Sequence, residues 1–280
     1  MKDIDLYCMC LNEHHIGNIK KLGYIPVGLG SNDFSKDWIR DNTGENISHK
    51  NPYYGEYTFY YWFWKNLLPK INENKWTGFT GYRYHWGAKN NLSSDQITKN
   101  VTAENFNNYI LRKEPDEWKD YELILGEQWF VNNYKLSKII KHGKKALVRN
   151  PLAFLKKNRS IKLHFDIFHG TGNLDKAIDM LDEKEKNDFR SFTKNKKSFN
   201  RENLFICRSK KLMDNYFNSV FEWLERCEKI FGFKLEGYSM TRIYAFLAER
   251  YLSYWFQKYS KPLEWPIFFF DTNKNKIEVK

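Results

Sequence analysis

The sequence predicts an α/β protein whose mostly parallel sheet is flanked by helices. Short apolar segments typical of buried strands are interleaved with longer segments of helical periodicity, and this alternation favours a parallel sheet. The 280 residues suffice for one large core, and neither a Ser/Gly/Pro-rich linker nor an internal repeat divides them. Because ligands of such sheets bind beyond the carboxyl ends of the strands, we expect a site in the loops that follow the strands.

The first two strands lead into a polar loop. Residues Ile4–Leu11 alternate as a half-buried strand does, and Tyr24–Val27 form a second, shorter strand. Residues 31–51, SNDFSKDWIRDNTGENISHKN, then combine many Asn, Asp, Ser and Gly residues with few apolar ones. Such a loop offers hydrogen-bonding groups to a polar ligand, so we expect it to take part in binding.

An aromatic helix and a strand with an unusual end come next. Asn51 and Pro52 supply an N-cap and a proline at the first helical position. The run that follows, YYGEYTFYYWFWKNLL, is aromatic nearly all round and therefore predicts a buried helix. The alternating run WTGFT then predicts a strand that ends in a Gly-Tyr-Arg-Tyr-His tip at residues 81–85.

The same periodicities define the remaining elements. A helix at Ser209–Phe231 places five apolar residues on one face: Leu212, Tyr216, Val220, Trp223 and Cys227. The other predicted elements are a helix near 102–112, a strand at Tyr121–Leu125, a helix near 173–182, a strand at Asn203–Cys207, a helix at Thr241–Tyr259 and a strand at Pro266–Phe270.

The excess of basic charge is concentrated in one segment. The net charge is +12, yet no acidic residue occurs between Glu127 and Asp166. That interval contains ten basic residues: Lys135, Lys138, Lys141, Lys144, Lys145, Arg149, Lys156, Lys157, Arg159 and Lys162. Without them the chain would hold 36 basic against 34 acidic residues. We therefore expect one domain, residues 1–280, with a basic insertion at 128–165 that has a surface role of its own.

The amino terminus and the cysteines indicate where in the cell the protein is expected. No run of about 18 apolar residues occurs, and MKDIDLYCMCLN is unlike a signal peptide. The four cysteines lack zinc-site spacing and are expected to be reduced core thiols. The expected location is the cytoplasm, with peripheral attachment to the membrane as an option.

Two charged residues near the aromatic helix and the strand tip are candidates for function. Glu56 has few polar neighbours in its predicted helix, and an unpaired buried carboxylate costs several kcal/mol. It therefore either forms a salt bridge, to Lys65 or to Arg83, or accepts hydroxyl protons from a ligand. Arg83 lies at a strand end near Gly81. It either forms a structural ion pair or binds a diphosphate through its forked guanidinium.

Further candidates lie late in the chain. Arg242 and Glu249 are seven residues apart on a predicted helix, which puts them on one face, and Glu249 is either structural or a general base. His164, Asp166 and His169, in HFDIFH, could supply three metal ligands, although their spacing matches no strong motif.

Several of these segments resemble one known family. IPVGLG, DNTGENISHKN, YYGEYTFYYWFWKN, TGFTGYRYHW, NLFICRS and RIYAFLAER are similar to the motifs of a bacterial family found in capsule and exopolysaccharide gene clusters. That family, formerly described as a domain of unknown function, is placed among glycosyltransferases of the GT-A fold, with galactofuranosyl transfer as a known activity. The resemblance runs from about residue 4 to residue 260. The tip departs from it, because the family usually has His-Tyr-Arg-Arg where this chain has Gly81-Tyr82-Arg83-Tyr84.

The resemblance implies a GT-A-like (Rossmann-like) glycosyltransferase that moves a hexosyl group, galactofuranosyl being the known case, from a UDP-sugar to a glycan acceptor. Inversion in a single displacement is expected, with Glu249 as the base and Arg83 on the leaving diphosphate. The only Asp-x-Asp, Asp3/Asp5, is badly placed at the beginning of the first strand, so no metal and no other cofactor is expected. The expected substrate-binding residues are Asp41, Asn42, Asn46, Ser48, Asn51, Glu56, Tyr60, Lys65, Tyr82 and Arg242.

Two other functions stay open at this point. A nucleic-acid or polyanion binder would use the basic segment and exposed aromatics, but the aromatic-dense helices are poor in charge, so no nucleic-acid partner is expected. A metal-dependent hydrolase would be built on His164, Asp166 and His169. For the transferase, the basic segment predicts contact with an anionic membrane surface carrying a lipid-linked acceptor.

Overall fold

The computed structural model describes residues 4–89, 91–133, 148, 152, 155, 158–272 and 274–275. Most of the lysines and apolar residues of the basic insertion lie outside this set, including Lys135, Lys138, Lys141, Lys144 and Lys145. The membrane contact that we predict for that segment therefore stays a prediction.

Eleven strands occur in the described part of the chain. They are β1 (Ile4–Cys10), β2 (Ile25–Gly28), β3 (Ile39–Arg40), β4 (Trp76–Gly81), β5 (Tyr84–Trp86), β6 (Leu123–Gly126), β7 (Gln128–Phe130), β8 (Ser198–Asn200), β9 (Phe205–Cys207), β10 (Leu263–Trp265) and β11 (Ile267–Phe269). Nine of them form one sheet, in which β10-β6-β9-β4-β1-β2-β3 are neighbours in that order. Strand β5 pairs with β4 and with β11, and β7 and β8 form a separate ribbon.

The large sheet is mostly parallel, as the sequence predicts. Strand β1 is parallel to β2 and β4, β2 is parallel to β3, and β6 is parallel to β10. Strands β5 and β9 run antiparallel to their neighbours, and β11 is antiparallel to β5. All strands of the sheet except β5 and β9 consequently point the same way, and their carboxyl ends meet at one edge.

Eleven α-helices cover this sheet within the described residues. They are α1 (Ile16–Lys21), α2 (Asn51–Tyr54), α3 (Tyr57–Trp62), α4 (Ser94–Asn100), α5 (Phe106–Tyr109), α6 (Ile161–His169), α7 (Asn173–Ile178), α8 (Glu183–Asn195), α9 (Lys210–Phe231), α10 (Tyr238–Thr241) and α11 (Ile243–Tyr259). No described helix is both long enough and apolar enough to cross a bilayer.

The core is aromatic on both faces of the sheet. Phe79 of β4 contacts Tyr60 of α3, with ring centres 4.6 Å apart. Trp76, three residues earlier and so on the other face, contacts Trp118 at 5.0 Å. The five residues predicted for the apolar face of α9 are all buried, and Ser209 caps that helix by accepting a hydrogen bond from the Leu212 backbone. The predicted fold class is confirmed at this level.

The predicted aromatic helix differs from the structure in one respect. Instead of one continuous helix from Asn51, the chain forms α2, breaks at Gly55, and continues as α3 and a π-helical turn at Phe63–Leu67. Gly55 has φ 56°, a conformation that side-chain-bearing residues rarely adopt, and the Arg242 guanidinium occupies the space that a Cβ would fill. The break thereby brings Arg242 beside Glu56.

Candidate active site

A cavity of about 300 Å³ opens at the edge where the carboxyl ends of the parallel strands meet. Its walls come from the end of β1, the residue after β2, the β4–β5 turn, the α2–α3 break, the segment before β9, and helices α10 and α11. We call it the first cavity. It lies where the fold predicts a ligand site, and it contains six of the twelve residues expected from sequence: Asn51, Glu56, Tyr82, Arg83, Arg242 and Glu249.

Arg83 is an exposed cation at the rim of this cavity. Gly81 pairs with Tyr84 across a tight β4–β5 turn, so Tyr82 and Arg83 form the tip. The Arg83 guanidinium carbon lies 4.9 Å from the centre of the Tyr82 ring, which in turn contacts the His15 ring at 4.1 Å. Among the described residues Arg83 has no carboxylate partner. A guanidinium that is supported by a ring but not neutralised is suited to an anionic ligand.

Glu56 is paired with a different cation from the two that the sequence suggests. Its Oε2 lies 3.3 Å from Nη2 of Arg242, and its Oε1 accepts a hydrogen bond of 2.6 Å from the Asn203 side chain. Of the two alternatives that the sequence leaves open, the salt bridge to Lys65 or Arg83 does not occur among the described residues, and the Lys65 ammonium lies instead 3.4 Å from the centre of the Trp64 ring. Burial raises the pKa of Glu56, while the Arg242 charge lowers it.

Glu249 lines the same cavity, but both of its oxygens already have partners. The backbone N–H of Glu202 donates to Oε1 at 2.8 Å, and Nη1 of Arg250 lies 2.5 Å from Oε2. The Arg250 side chain is only 2% exposed and also donates to the Phe246 carbonyl at 3.0 Å. The base role that we assign to Glu249 from sequence stays a prediction, and the geometry adds a structural role as the counter-ion of a buried arginine.

The structure adds a third carboxylate, Glu202, that sequence reasoning missed. Burial raises its pKa most and the charge of Glu249 raises it further, whereas the charge of Arg201 lowers it. The resulting pKa is about 7. The Tyr84 side chain acts on its carboxylate by lowering the pKa, and 28% of the Glu202 side chain remains exposed. Glu202 has φ 73° and Asn203 has φ 55°, two consecutive left-handed residues without glycine, which is a strained conformation typical of functional sites.

The polar loop contributes less to the cavity than expected. Asp41 is fully buried and accepts hydrogen bonds from the Gly30 backbone at 2.9 Å and from the Thr58 hydroxyl at 2.6 Å. The expected site residues that do not line the cavity are Asp41, Asn42, Asn46, Ser48, Tyr60 and Lys65. Asn46 and Ser48 bond to each other within the loop, and the Tyr60 hydroxyl donates to the Asn203 carbonyl at 2.6 Å. Binding roles for these residues stay predictions.

The residues of the alternative metal site have other partners. Asp166 forms an ion pair with Lys162 at 2.9 Å and accepts from the Gly172 backbone at 3.0 Å, while Nη2 of Arg250 lies 3.1 Å from Nδ1 of His164. Burial, followed by the Arg250 charge, holds the pKa of His164 well below its usual value. In the described chain no three His, Cys, Asp or Glu residues are grouped closely enough to hold a metal ion. The geometry thus gives no support to a hydrolase built on HFDIFH.

The Asp-x-Asp motif is likewise unsuited to a cation at the first cavity. Asp5 lies near the amino end of β1, at the edge opposite the cavity, and its carboxylate is paired with Lys75 at 2.6 Å. The expectation that no metal and no other cofactor takes part stays a prediction.

Comparisons with known proteins agree with this architecture. The model of the family DUF4422, described as a domain of unknown function, matches residues 7–261. The solved structure titled "WbbM bifunctional glycosytransferase apo structure" superposes with a TM-score of 0.64 at 19% sequence identity. The match covers 95% of this chain and 45% of that one, so this chain spans less than half of its length. No curated protein sequence matches significantly. The fold is therefore GT-A-like, as a glycosyltransferase structure shares it.

Proposed function

This chain belongs to the DUF4422 family, and we propose that it is a glycosyltransferase that moves a hexosyl group from a UDP-sugar to a glycan acceptor. The observation that supports the proposal best is the first cavity itself. An unneutralised guanidinium, Arg83, and the carboxylates Glu56, Glu202 and Glu249 surround one space at the carboxyl edge of the sheet. Cations that stabilise a leaving diphosphate and a carboxylate that accepts a proton are the two requirements of glycosyl transfer.

The reaction we propose is a single displacement with inversion. An acceptor hydroxyl attacks the anomeric carbon and loses its proton to a carboxylate of the cavity, while the diphosphate departs with the bonding electrons. Arg83 stabilises the negative charge that develops on the diphosphate. This guanidinium would do part of the work that a divalent metal does in many GT-A enzymes, and we propose that the enzyme acts without a metal.

The sugar proposed first is galactofuranose, which rests on the family resemblance. Purified protein would be incubated with a panel of UDP-hexoses, including UDP-galactofuranose, and the release of UDP would be followed by mass spectrometry. We expect one donor of the panel to be consumed well above the others. Failure of every nucleotide sugar to bind or to turn over would contradict the proposed function.

We also propose that the enzyme works at an anionic membrane surface in capsule, exopolysaccharide or O-antigen synthesis, on a lipid-linked acceptor. The basis is the sequence alone, since each Lys or Arg near such a surface contributes about 1 kcal/mol of attraction. The protein should sediment with anionic liposomes at low salt. Neutralising Lys138, Lys141, Lys144 and Lys145 should abolish sedimentation and leave transfer to a soluble acceptor unchanged.

A further inference from the structure

A second cavity, of about 570 Å³, opens at the same edge of the sheet. It lies beyond β6, between the start of α4, strand β7 and strands β10 and β11. Tyr84 and Glu202 line both cavities. The two spaces are therefore neighbours that share one wall, and Tyr84 and Glu202 form that wall.

The charges of the second cavity make it a poor site for an anion. Among the residues that the structure describes, four carboxylates line it against a single guanidinium, that of Arg201. These acidic residues are Asp95, Glu127, Glu202 and Glu264. A diphosphate placed there would face uncompensated like charge, which costs free energy and favours its placement elsewhere. A neutral ligand with hydroxyl groups would meet no such repulsion.

The same walls carry hydrogen-bond acceptors and exposed aromatic surface. Glu127 uses one oxygen to accept from the Ser94 backbone at 2.7 Å, and Glu264 uses one to accept from the Gln128 side chain at 2.5 Å. Within the described chain their second oxygens have no partner, so they can accept from ligand hydroxyls. Phe269 is 41% exposed and lies edge-on to Tyr84, with ring centres 5.4 Å apart. A sugar ring has both an apolar face for such a ring and hydroxyls for the carboxylates.

We propose that the second cavity binds the neutral glycan acceptor and that Glu202, on the shared wall, is the base that takes the proton of the attacking hydroxyl. The inference rests on the proposed transferase function, with the UDP-sugar in the first cavity. Of the three carboxylates that line the first cavity, only Glu202 also lines the second. A base must reach both the acceptor hydroxyl and the reaction centre, and this position is the one that borders both spaces.

The step balances as follows. The acceptor oxygen forms a bond to the anomeric carbon, and the bond from that carbon to the diphosphate oxygen breaks. The electron pair of the broken bond leaves on UDP, next to Arg83. The hydroxyl proton moves to the Glu202 carboxylate, which returns it to water after product release. Arg201, Tyr84, Glu56 and Glu249 are the charged or titratable groups that influence Glu202.

Glu249 acts in this scheme as a positioning residue. Its Oε1 accepts from the Glu202 backbone N–H at 2.8 Å and so fixes the left-handed bend that directs the Glu202 side chain to the shared wall. Its Oε2 is held by Arg250. Since neither oxygen lacks a partner, Glu249 is less free to accept a substrate proton than Glu202 is.

The first experiment separates the base from its supports. Glu202→Gln should lower kcat for transfer at least a hundredfold while the affinity for UDP, measured by calorimetry, changes less than threefold. Glu202→Asp should recover part of the rate, because it restores a carboxylate. Glu117→Gln, on an exposed glutamate remote from both cavities, is the matched control. Near-normal transfer by Glu202→Gln, with loss in Glu249→Gln alone, would overturn the assignment of the base.

The second experiment tests the acceptor cavity without depending on turnover. Saturation-transfer NMR with methyl galactopyranoside should show binding that Phe269→Ala and Glu264→Gln each weaken at least fivefold, whereas UDP affinity stays unchanged. Galactose 6-sulfate should bind more weakly than the neutral sugar. If UDP displaces the galactoside, or if both variants bind it as wild type does, the inference fails. A wild-type protein that consumes no UDP-sugar in the donor panel would instead contradict the proposed function.

Discussion

The two cavities are adjacent and share a wall, yet their charges differ. Counted over the described residues, the first is lined by three carboxylates and two guanidiniums, whereas the second is lined by four carboxylates and one guanidinium. In the first, the Arg242 charge is engaged by Glu56, and Arg83 has no carboxylate partner among the described residues. In the second, Arg201 lies closest to Glu202, at 3.9 Å. Among the described residues of the two cavities, Arg83 is thus the one cation without a carboxylate partner, and it lies in the first cavity.

This difference indicates how one sheet edge can distinguish two substrates. An anionic nucleotide sugar and a neutral glycan need not compete for one space, because charge favours one in each. Glu202 lies between them on a strained bend rather than on a helix, which fixes its direction through backbone geometry. The variants below test this division of roles, beginning with the largest expected effect.

Removal of the unneutralised cation should affect the first cavity alone. Arg83→Ala is expected to lower donor turnover about a hundredfold to a thousandfold, since a positioned donor to developing charge is worth that much. Methyl galactopyranoside binding should not change. Arg112→Ala, an exposed arginine at the opposite edge of the sheet, is the control. Steady-state kinetics of UDP release would measure the effect, and near-normal turnover would remove Arg83 from the mechanism.

Glu249→Gln should damage the fold as well as the reaction. The substitution removes the carboxylate that pairs with the Arg250 guanidinium, which is 2% exposed, and breaking a buried pair from one side costs about 3–5 kcal/mol. Urea unfolding should therefore show a lower midpoint than wild type. Glu225→Gln, on the exposed face of α9, should unfold as wild type does. A Glu249→Gln protein with unchanged stability and lost transfer would favour Glu249 as the base.

Much of the fold could be predicted from the sequence because long periodic segments define it. The strand at β1, the strand at β4 and the helix α9 were each expected within two residues of their observed bounds. Strands β3, β5, β7, β8 and β10 were missed, since segments of two or three residues carry no readable periodicity. The pairings of β7 with β8 and of β6 with β10 join segments that are distant in the chain.

Residues of the candidate site could be predicted from sequence only where the direction of the adjoining strand was predicted correctly. Arg83 follows β4, which is parallel to β1. The expectation that ligands bind beyond the carboxyl ends of parallel strands therefore located Arg83 correctly. Glu202 precedes β9, which is antiparallel to β4 and β6, and a parallel reading places it at the far edge of the sheet. The sequence did contain a signal, because a charged residue, Glu202, directly precedes the buried run NLFIC. Only the direction of strand β9 shows at which edge of the sheet that residue lies.

Glu202→Gln should stabilise the protein at neutral to basic pH. The pKa of Glu202 is raised from 4.5 to about 7 in the folded state, so folding favours the protonated carboxyl. Below pH 4.5 the group is protonated in both states and costs nothing. As the pH rises from 4.5 to 7 the unfolded state ionises while the folded state keeps its proton, so stability is lost over that interval and stays lower above it. Gln cannot ionise, so the variant should exceed wild type by about 1–3 kcal/mol at pH 8.

The measurement for this prediction is urea unfolding of both proteins at pH 4.5 and pH 8, below and above the raised pKa. The advantage of the variant should shrink towards pH 4.5, and Glu117→Gln provides the baseline for an exposed glutamate. A variant that is less stable than wild type at pH 8 would mean that the carboxylate is held by favourable interactions. Glu202 would then be a structural residue of the shared wall and not its base.

The smallest effect is expected from metal removal. If Arg83 stabilises the departing diphosphate, a guanidinium that cannot be chelated supplies the charge, and EDTA should change turnover less than about twofold. Asp5, the described member of the only Asp-x-Asp, is paired with Lys75 at the opposite edge of the sheet, away from the first cavity. Turnover would be measured with and without EDTA, and again after addition of Mn²⁺ or Mg²⁺. Complete loss that Mn²⁺ restores would show that cation stabilisation in the first cavity comes from a metal, and the contrast in charge between the two cavities would then have to include that ion.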